Sequence, residues 1–444
     1  MYELKVDKNV AVGKIKPLHG VNNAPDLKGE LFKTLTDAGI PYCRLHDSAS
    51  IYPYGRCVDI PAIFPNFDAD ENDPNSYDFT FTDVYLKNLV DAGVEPFYRL
   101  GVSIENYAYI KAYNIFPPKD FAKWARICEH IILHYNYGWA NGFHFGIEYW
   151  EIWNEPEDVP DVVDRQMWLG TKEEFFELYR ISANYLKEKF PKLKIGGYSS
   201  CGFYAIADRI ADPSANVSAR YDYFITYFID FLTYISDEKH TAPLDFFSWH
   251  SYNGIWCNKI FADYARKKLD EFGFKNTESF LTEWNPSRLY KGTLRDSANI
   301  ASNILGLQDS PVDMMHYYDL RINTSYCGLY DPIQSPLLPW TNDLPACLLK
   351  AYYTFKAFNE LYKLKTQVKV TGADDPVFAV AAFDGEKGAI YITNNSEEKA
   401  EIALSGLGKA ERALYITEDK SLEDGEVLEK FTLNAFESVV IYFR

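Results

Sequence analysis

Cysteine is scarce in this chain and poorly arranged for cross-linking. The 444 residues include seven (Cys43, Cys57, Cys128, Cys201, Cys257, Cys327 and Cys347), scattered, odd in number and never spaced as Cys-x-x-Cys. That excludes a disulfide framework and a cysteine-based zinc site. Cys43 in a predicted strand and Cys128 on a predicted helix face read as small buried hydrophobes, and reduced thiols suit a cytoplasmic location. Positive charge is also short: 45 Lys and Arg face 63 Asp and Glu, for a net charge of −18. The balance argues against nucleic acid or an anionic membrane as partner and for a neutral or weakly charged one. No window reaches the roughly 18 apolar residues of a membrane span. The opening Met1-Tyr2-Glu3-Leu4-Lys5 lacks the basic and apolar regions of a signal peptide. There is no His-x-His or His-Glu-x-x-His pattern, so no metal is expected. His19-Gly20-Val21-Asn22-Asn23, at the first predicted strand, lacks the glycine fingerprint of a dinucleotide site, and no cofactor is expected. Repeats and low-complexity segments are absent.

What remains is an ordinary globular composition, 47% hydrophobic and 24% charged, long enough for a large barrel and a small companion. Aromatics reach 16%. Most build a core, but flat rings also suit the apolar faces of sugars.

Eight short apolar runs read as strands: Lys14–Val21, Pro41–His46, Val94–Leu100, Ile147–Trp153, Leu193–Tyr198, Asp245–His250, Ser279–Glu283 and Asp313–Tyr318. Most are nearly continuous rather than alternating, as in parallel strands covered on both faces. Helical patterns lie between and after them. Lys119–Tyr135 places Phe121, Trp124, Ala125, Cys128, Ile131, Ile132 and Tyr135 on one face. A second starts at Thr171 with Glu174 three places on, a capping box. The others are Leu27–Ala38, Thr82–Ala92, Tyr221–Tyr234, Phe261–Phe272, Asp296–Leu307 and Pro345–Leu361. Eight strands alternating with eight helices predict an α/β fold, a (β/α)8 TIM barrel, over residues 14–363. Beyond it, Val377–Phe383, Ala389–Thr393, Ala400–Leu404, Ala413–Thr417 and Ser438–Phe443 are separated by turn clusters such as Asp384-Gly385. They predict a small antiparallel β-sandwich from residues 364–444, completed by residues 1–13.

Barrel chemistry sits at the carboxyl ends of the strands. Trp153-Asn154-Glu155-Pro156 ends the fourth predicted strand and Thr282-Glu283-Trp284-Asn285 the seventh. These strands lie across the mouth, so Glu155 and Glu283 can face each other over a bound sugar. Two facing carboxyls are the machinery of glycoside hydrolysis, with about 5–5.5 Å between them for retention and a wider gap for inversion. Asn154 is placed to bond the sugar 2-hydroxyl, and Arg44, ending the second strand, to keep one carboxylate charged. Tyr252, in Ser248-Trp249-His250-Ser251-Tyr252, can donate to Glu283, with His250 beside substrate. His19, His46 and His316 also lie near strand ends, where hydroxyl recognition and a structural role are both open. Glu148, Glu151 and Glu157 lack such a context and read as ordinary.

These motifs resemble clan A of the retaining glycoside hydrolases. Within it the chain is most similar to glycoside hydrolase family 39, which includes β-xylosidases and α-L-iduronidases. The matches are Trp153-Asn154-Glu155-Pro156, Thr282-Glu283-Trp284-Asn285, His250-x-Tyr252 and Arg44-Leu45-His46. The resemblance implies Glu155 as general acid/base and Glu283 as nucleophile. It implies substrate-binding roles around Asn154, His250, Tyr252, Arg44, His46 and Trp284. The eighth strand departs from it: His316-Tyr317-Tyr318-Asp319-Leu320-Arg321 stands where xylosidases of this kind usually carry a Trp. Tyr318 and Asp319 then line the −1 pocket, and Arg321 either holds a uronic carboxylate or pairs with Asp319, the second being favoured.

The expected activity is a retaining O-glycosidase acting on a carbohydrate, exo-acting on β-xylosides or related pentosides. The alternatives are an endo-acting polysaccharide hydrolase, an arabinosidase or uronidase, and a non-catalytic carbohydrate-binding barrel. Long segments at Tyr52–Asp78 and Trp256–Phe261, able to wall off a pocket, favour exo action. A homo-oligomer is compatible with the sequence, which does not set the number of copies.

Overall fold

The computed structural model describes residues 1–25, 31–46, 56–105, 114–161, 164–286, 289–321, 327–331 and 348–444. Eight parallel strands close a barrel in chain order: β2 (Gly20–Asn22), β3 (Tyr42–Leu45), β4 (Glu95–Leu100), β5 (Tyr149–Ile152), β6 (Lys194–Ser200), β7 (Phe246–Ser251), β8 (Glu278–Trp284) and β9 (Met314–Tyr317). Preceding it is β1 (Tyr2–Lys14). The expected first barrel strand, Lys14–Val21, is therefore a correction. Lys14 ends β1, paired with Thr366, and only Gly20–Asn22 joins the barrel.

The helices are α1 (Phe32–Ala38), α2 (Ile60–Ile63), α3 (Thr80–Asp91), α4 (Phe121–Tyr137), α5 (Lys172–Lys189), α6 (Tyr204–Ala211), α7 (Ala219–Ser236), α8 (Ile255–Glu271), α9 (Leu294–Gly306) and α10 (Lys350–Tyr362). The capping box is present at α5: Thr171 Oγ1 accepts from Glu174 N at 3.1 Å, and Glu174 Oε2 accepts from Thr171 N at 2.7 Å. Trp256–Phe261 is not a loop. α8 begins at Ile255 and turns Ile255, Asn258, Phe261 and Ala262 inward. The short α2 and the helix α6 lie outside the predicted pattern. The segment Tyr52–Asp78 carries α2 and a 3-10 turn at Pro74–Ser76, while its part within 47–55 lies outside the described residues, as do parts of the expected helices Leu27–Ala38 and Pro345–Leu361.

Strand side chains alternate with period two, and this stacks the barrel interior. Tyr42, Phe97, Tyr149, Phe246, Phe280 and Met314 pack together at the amino end. Phe97 on β4 reaches Phe280 on β8 at 6.0 Å between ring centroids, across the interior. Two positions further along the same six strands stand Arg44, Arg99, Glu151, Ser248, Thr282 and His316, all buried. An aromatic plug thus carries a polar layer, and the mouth opens above that layer.

The second domain adds β10 (Thr366–Thr371), β11 (Val377–Phe383), β12 (Gly388–Asn394), β13 (Ala400–Ser405), β14 (Ala410–Ile416), β15 (Ser421–Gly425), β16 (Lys430–Leu433) and β17 (Ser438–Phe443). With β1 they form one nine-stranded sheet, ordered β15-β14-β17-β12-β11-β10-β1-β13-β16. The sandwich is built from this single curled sheet, whose two ends share a core that includes Leu4, Ile390, Ile392, Ile402 and Val439. The alternate positions Phe378, Val380, Tyr391 and Val440 join the core of the barrel and its helices. Among the described residues no helix is long and apolar enough to cross a membrane.

Candidate active site

Arg44, fully buried in the polar layer, organises the mouth. Nε donates to Glu151 Oε2 at 2.7 Å, and Nη1 to Asn22 Oδ1 at 3.1 Å and Glu283 Oε2 at 3.4 Å. Nη2 donates to Asn154 Oδ1 at 2.6 Å and Ser199 Oγ at 2.9 Å. Each of the five N–H groups of the guanidinium has an acceptor. A buried cation is tolerated only when paired and fully hydrogen-bonded, and Glu151 with Glu283 provides that.

Glu155 follows β5 in an unusual backbone conformation. Its φ is 42° and that of Trp153 is 72°. L-residues reach this left-handed region at a cost of about 1–3 kcal/mol, which the surroundings must offset. Here Glu155 N donates to Ser199 O at 3.0 Å, and Trp153 N to Leu100 O at 2.7 Å, so both neighbouring strands hold the turn. The carboxylate is 19% exposed and meets His250 Nδ1 at 2.7 Å.

Glu283 is more enclosed. Tyr252 donates its hydroxyl hydrogen to Oε1, while Oε2 faces Arg44 and lies 3.8 Å from His250 Nδ1. Burial pushes the Glu283 carboxyl up, as does Glu155; His250, Arg44 and the Tyr252 hydrogen bond push it down. Burial also takes His250 down to about 4, with Arg44 adding and Glu283 opposing. A neutral His250 donates from Nδ1 to ionised Glu155 in one tautomer and accepts from protonated Glu155 in the other. The contact accommodates both protonation states of the carboxyl.

The structure brings most of the predicted site residues together. His46 is buried beside this centre, its backbone N–H donating to Asn23 Oδ1 at 3.2 Å, and burial followed by Arg44 pushes its imidazole well below the ordinary range. The Tyr252 ring sits edge-on to Tyr318, centroids 6.3 Å apart. Arg321 donates to both Asp319 Oδ2 and the Tyr318 hydroxyl, and Asn23 Nδ2 lies 3.4 Å from the same Asp319 oxygen. Arg321 thus pairs with Asp319. Trp284 is a correction. Next to Glu283 on the strand, it takes the opposite face, and its ring stands edge-on to Tyr317, which packs on Phe355 of α10. It belongs to the core between barrel and helices. His19 is likewise buried away from the carboxylates, against Phe358 and Tyr362, and His316 is buried in the polar layer above Phe97.

Sequence reasoning passed over Glu151, Ser199, Asn22 and Glu157. Glu151 shares the inward phase of Tyr149, so a charged residue at that phase of an apolar strand was the available signal. Glu157 is fully buried; Oε1 accepts from Ser200 Oγ and from Cys201 N, each at 2.8 Å. Burial pushes it up to about 8, against those two bonds. It pins residues 200–201 directly after Ser199, which holds both Arg44 and the Glu155 backbone. Glu148 is exposed, as an ordinary residue would be.

Among the described residues, one His/Cys/Asp/Glu group converges closely enough to hold a metal: Glu155, His250 and Glu283, whose ligand atoms all lie within 4.8 Å of one another.

The model of "Glycosyl hydrolases family 39" matches residues 11–321, more than half of the chain. A β-xylosidase of Caldicellulosiruptor saccharolyticus is 26% identical over 331 residues, which cover 68% of this chain and 58% of that protein. One from Geobacillus stearothermophilus is 25% identical over 228 residues, 49% of this chain and 39% of that protein. The matches thus span less than two thirds of either relative. In fold, the chain is similar to a glucosidase from Croceicoccus marinus, TM-score 0.74 at 19% identity over 100% of this chain and 99% of that one. A monomeric β-xylosidase from Caulobacter crescentus gives 0.67 at 16%, over 100% and 99%. With the family match running from β1 through the barrel to Arg321, the chain belongs to glycosyl hydrolase family 39.

Proposed function

We propose that this protein is a glycosidase that cleaves β-xylosides or related pentosides from a chain end, with retention, by double displacement. The observation that carries the reading is the approach of Glu155 and Glu283, with one oxygen of each within 4.8 Å of the other. That is the close approach expected of a retaining pair, whereas an inverting enzyme holds its carboxyls wider apart to admit a water between them. Glu283 attacks the anomeric carbon as the bond to the leaving oxygen breaks, and Glu155 gives that oxygen a proton. Glu155 then takes a proton from the water that attacks the same carbon, releasing Glu283. Arg44 and Tyr252 support Glu283 as an anion, while its burial leaves it poorly solvated and hence more reactive. His250 follows Glu155 through both protonation states by changing tautomer.

The two relatives named β-xylosidase support the sugar, and the pairing of Arg321 with Asp319 and Tyr318 weighs against a uronic acid. A panel of aryl glycosides (β-xyloside, α-L-arabinoside, β-glucoside, β-galactoside and β-glucuronide) tests the reading, with Glu283→Ala as control. Turnover of a pentoside, lost in the variant and releasing the same anomer by NMR, is the expected result. Release of the opposite anomer would sink the double displacement. Turnover of the glucuronide would sink the assignment of Arg321.

A further inference from the structure

We propose that Glu155, His250 and Glu283 form a binding site for a divalent transition metal, Zn²⁺ or Cu²⁺, within the barrel mouth. The three donors come from the ends of β5, β7 and β8, which is why no local sequence pattern announces them. Two carboxylate oxygens and one imidazole nitrogen are the donor types of open zinc sites, which keep a further position for water. The distances are close to those required. His250 Nδ1 lies 2.7 Å from Glu155 Oε1 and 3.8 Å from Glu283 Oε2, and all three atoms lie within 4.8 Å. A tetrahedral zinc with bonds of about 2.0–2.2 Å needs donors about 3.3–3.6 Å apart. Glu155 therefore backs away from His250 by under an ångström and Glu283 closes in. Glu155 is the partly exposed member and moves most easily, whereas His250, fully buried, already aims a nitrogen between the two carboxylates.

Tyr252 donates to Glu283 Oε1 and so orients that carboxylate before an ion arrives, while the backbone bond from Glu155 N to Ser199 O fixes the turn that carries Glu155. Arg44 works against the ion, because Nη1 is 3.4 Å from Glu283 Oε2. Binding is accordingly reversible, and displacement of the ion restores the apo site. A donor set with a nitrogen and only three protein ligands suits Cu²⁺ and Zn²⁺ and does not suit Mg²⁺ or Ca²⁺, which take oxygen shells of higher number. If the carboxylates act as proposed above, the ion occupies the space of the anomeric carbon and excludes substrate. The binding itself does not depend on that reading.

The test is calorimetric titration of the metal-free protein with ZnCl2, repeated with MgCl2 and on Glu155→Gln, Glu283→Gln and His250→Asn, each checked for folding by circular dichroism. The expected result is one Zn²⁺ per chain, no heat with Mg²⁺, and affinity weakened about tenfold or more in each folded variant. Glu155→Gln alters the most exposed member and is the variant that keeps the fold if the buried ones do not. No Zn²⁺ binding to the parent protein overturns the proposal. Binding of unchanged strength in Glu155→Gln also overturns it, by placing the ion elsewhere, for example at the exposed His240–Asp237 pair. The heats report no turnover, so a silent glycoside panel leaves this result standing, and the reverse holds as well.

Discussion

The barrel strands and the central strands β11, β12 and β17 of the second sheet are both covered on two faces, yet what they bury differs. Along β11 and β12 the alternate residues enter two apolar cores, Ile390 and Ile392 one of them and Ala389 and Tyr391 the other. Along β3 and β5 the outward residues are apolar, but the inward ones change from Tyr42 and Tyr149 to Arg44 and Glu151 within two positions. The same period-two backbone thus builds a support in one place and a charged floor for chemistry in the other. Replacing an inward barrel residue should therefore remove function, and replacing a sheet residue should remove stability alone.

The largest effect is expected of Glu283→Ala, with kcat down on the order of 10⁴-fold or more. Azide should then restore turnover with the opposite anomer as product, detected by NMR. Glu155→Ala should slow glycosides with poor leaving groups by about 10²–10⁴-fold and activated aryl glycosides far less. Equal losses on both would remove its role as acid. Arg44→Met takes the cation away from Glu151 and Glu283 and should destabilise the fold by about 3–5 kcal/mol in urea titrations as well as lower activity. A loss under about 1 kcal/mol would show that the five hydrogen bonds hold little together. Ile392→Ala, in the second domain, should destabilise by about 2–5 kcal/mol while the folded fraction keeps its kcat/KM. A changed kcat/KM would break the contrast between the two sheets.

Glu157→Gln is the most delicate. Burial raises the Glu157 carboxyl from its ordinary 4.5 to about 8. A folded state that holds its proton more tightly than the unfolded chain is stabilised below the unfolded value, and that stability drains away as pH rises between 4.5 and 8. The amide cannot titrate, so the stability of the variant should fall less steeply across that window. Parallel pH curves for the two proteins would place the titration elsewhere.

The barrel was legible because parallel strands covered on both sides leave unbroken apolar runs. Glu155 and Glu283 stood out because each ends such a run in a distinctive setting. The polar layer was not legible. Arg44 and Glu151 are single charged residues within apolar strands, and their pairing depends on the curvature that brings β3 and β5 into reach across β4. Trp284 was assigned to substrate because it stands within the motif that resembles the family, while the alternation along β8 turns it away from Glu283. The start of α8 was read late because its first turn mixes Trp256, Cys257 and Asn258, leaving the apolar period clear only from Phe261 onward.

The place of β1 has a consequence for how the chain is made. Its first half pairs with β13 on one edge, Tyr2 opposite Ile402, and β10 takes the other edge, with Lys14 opposite Thr366. During synthesis β1 leaves the ribosome before its partners β10 and β13, which follow only after the whole barrel. Leu4 and Val6 must wait uncovered until then. The second domain is in this sense the last clasp to close, and a nascent chain halted anywhere within the barrel would still display that strand.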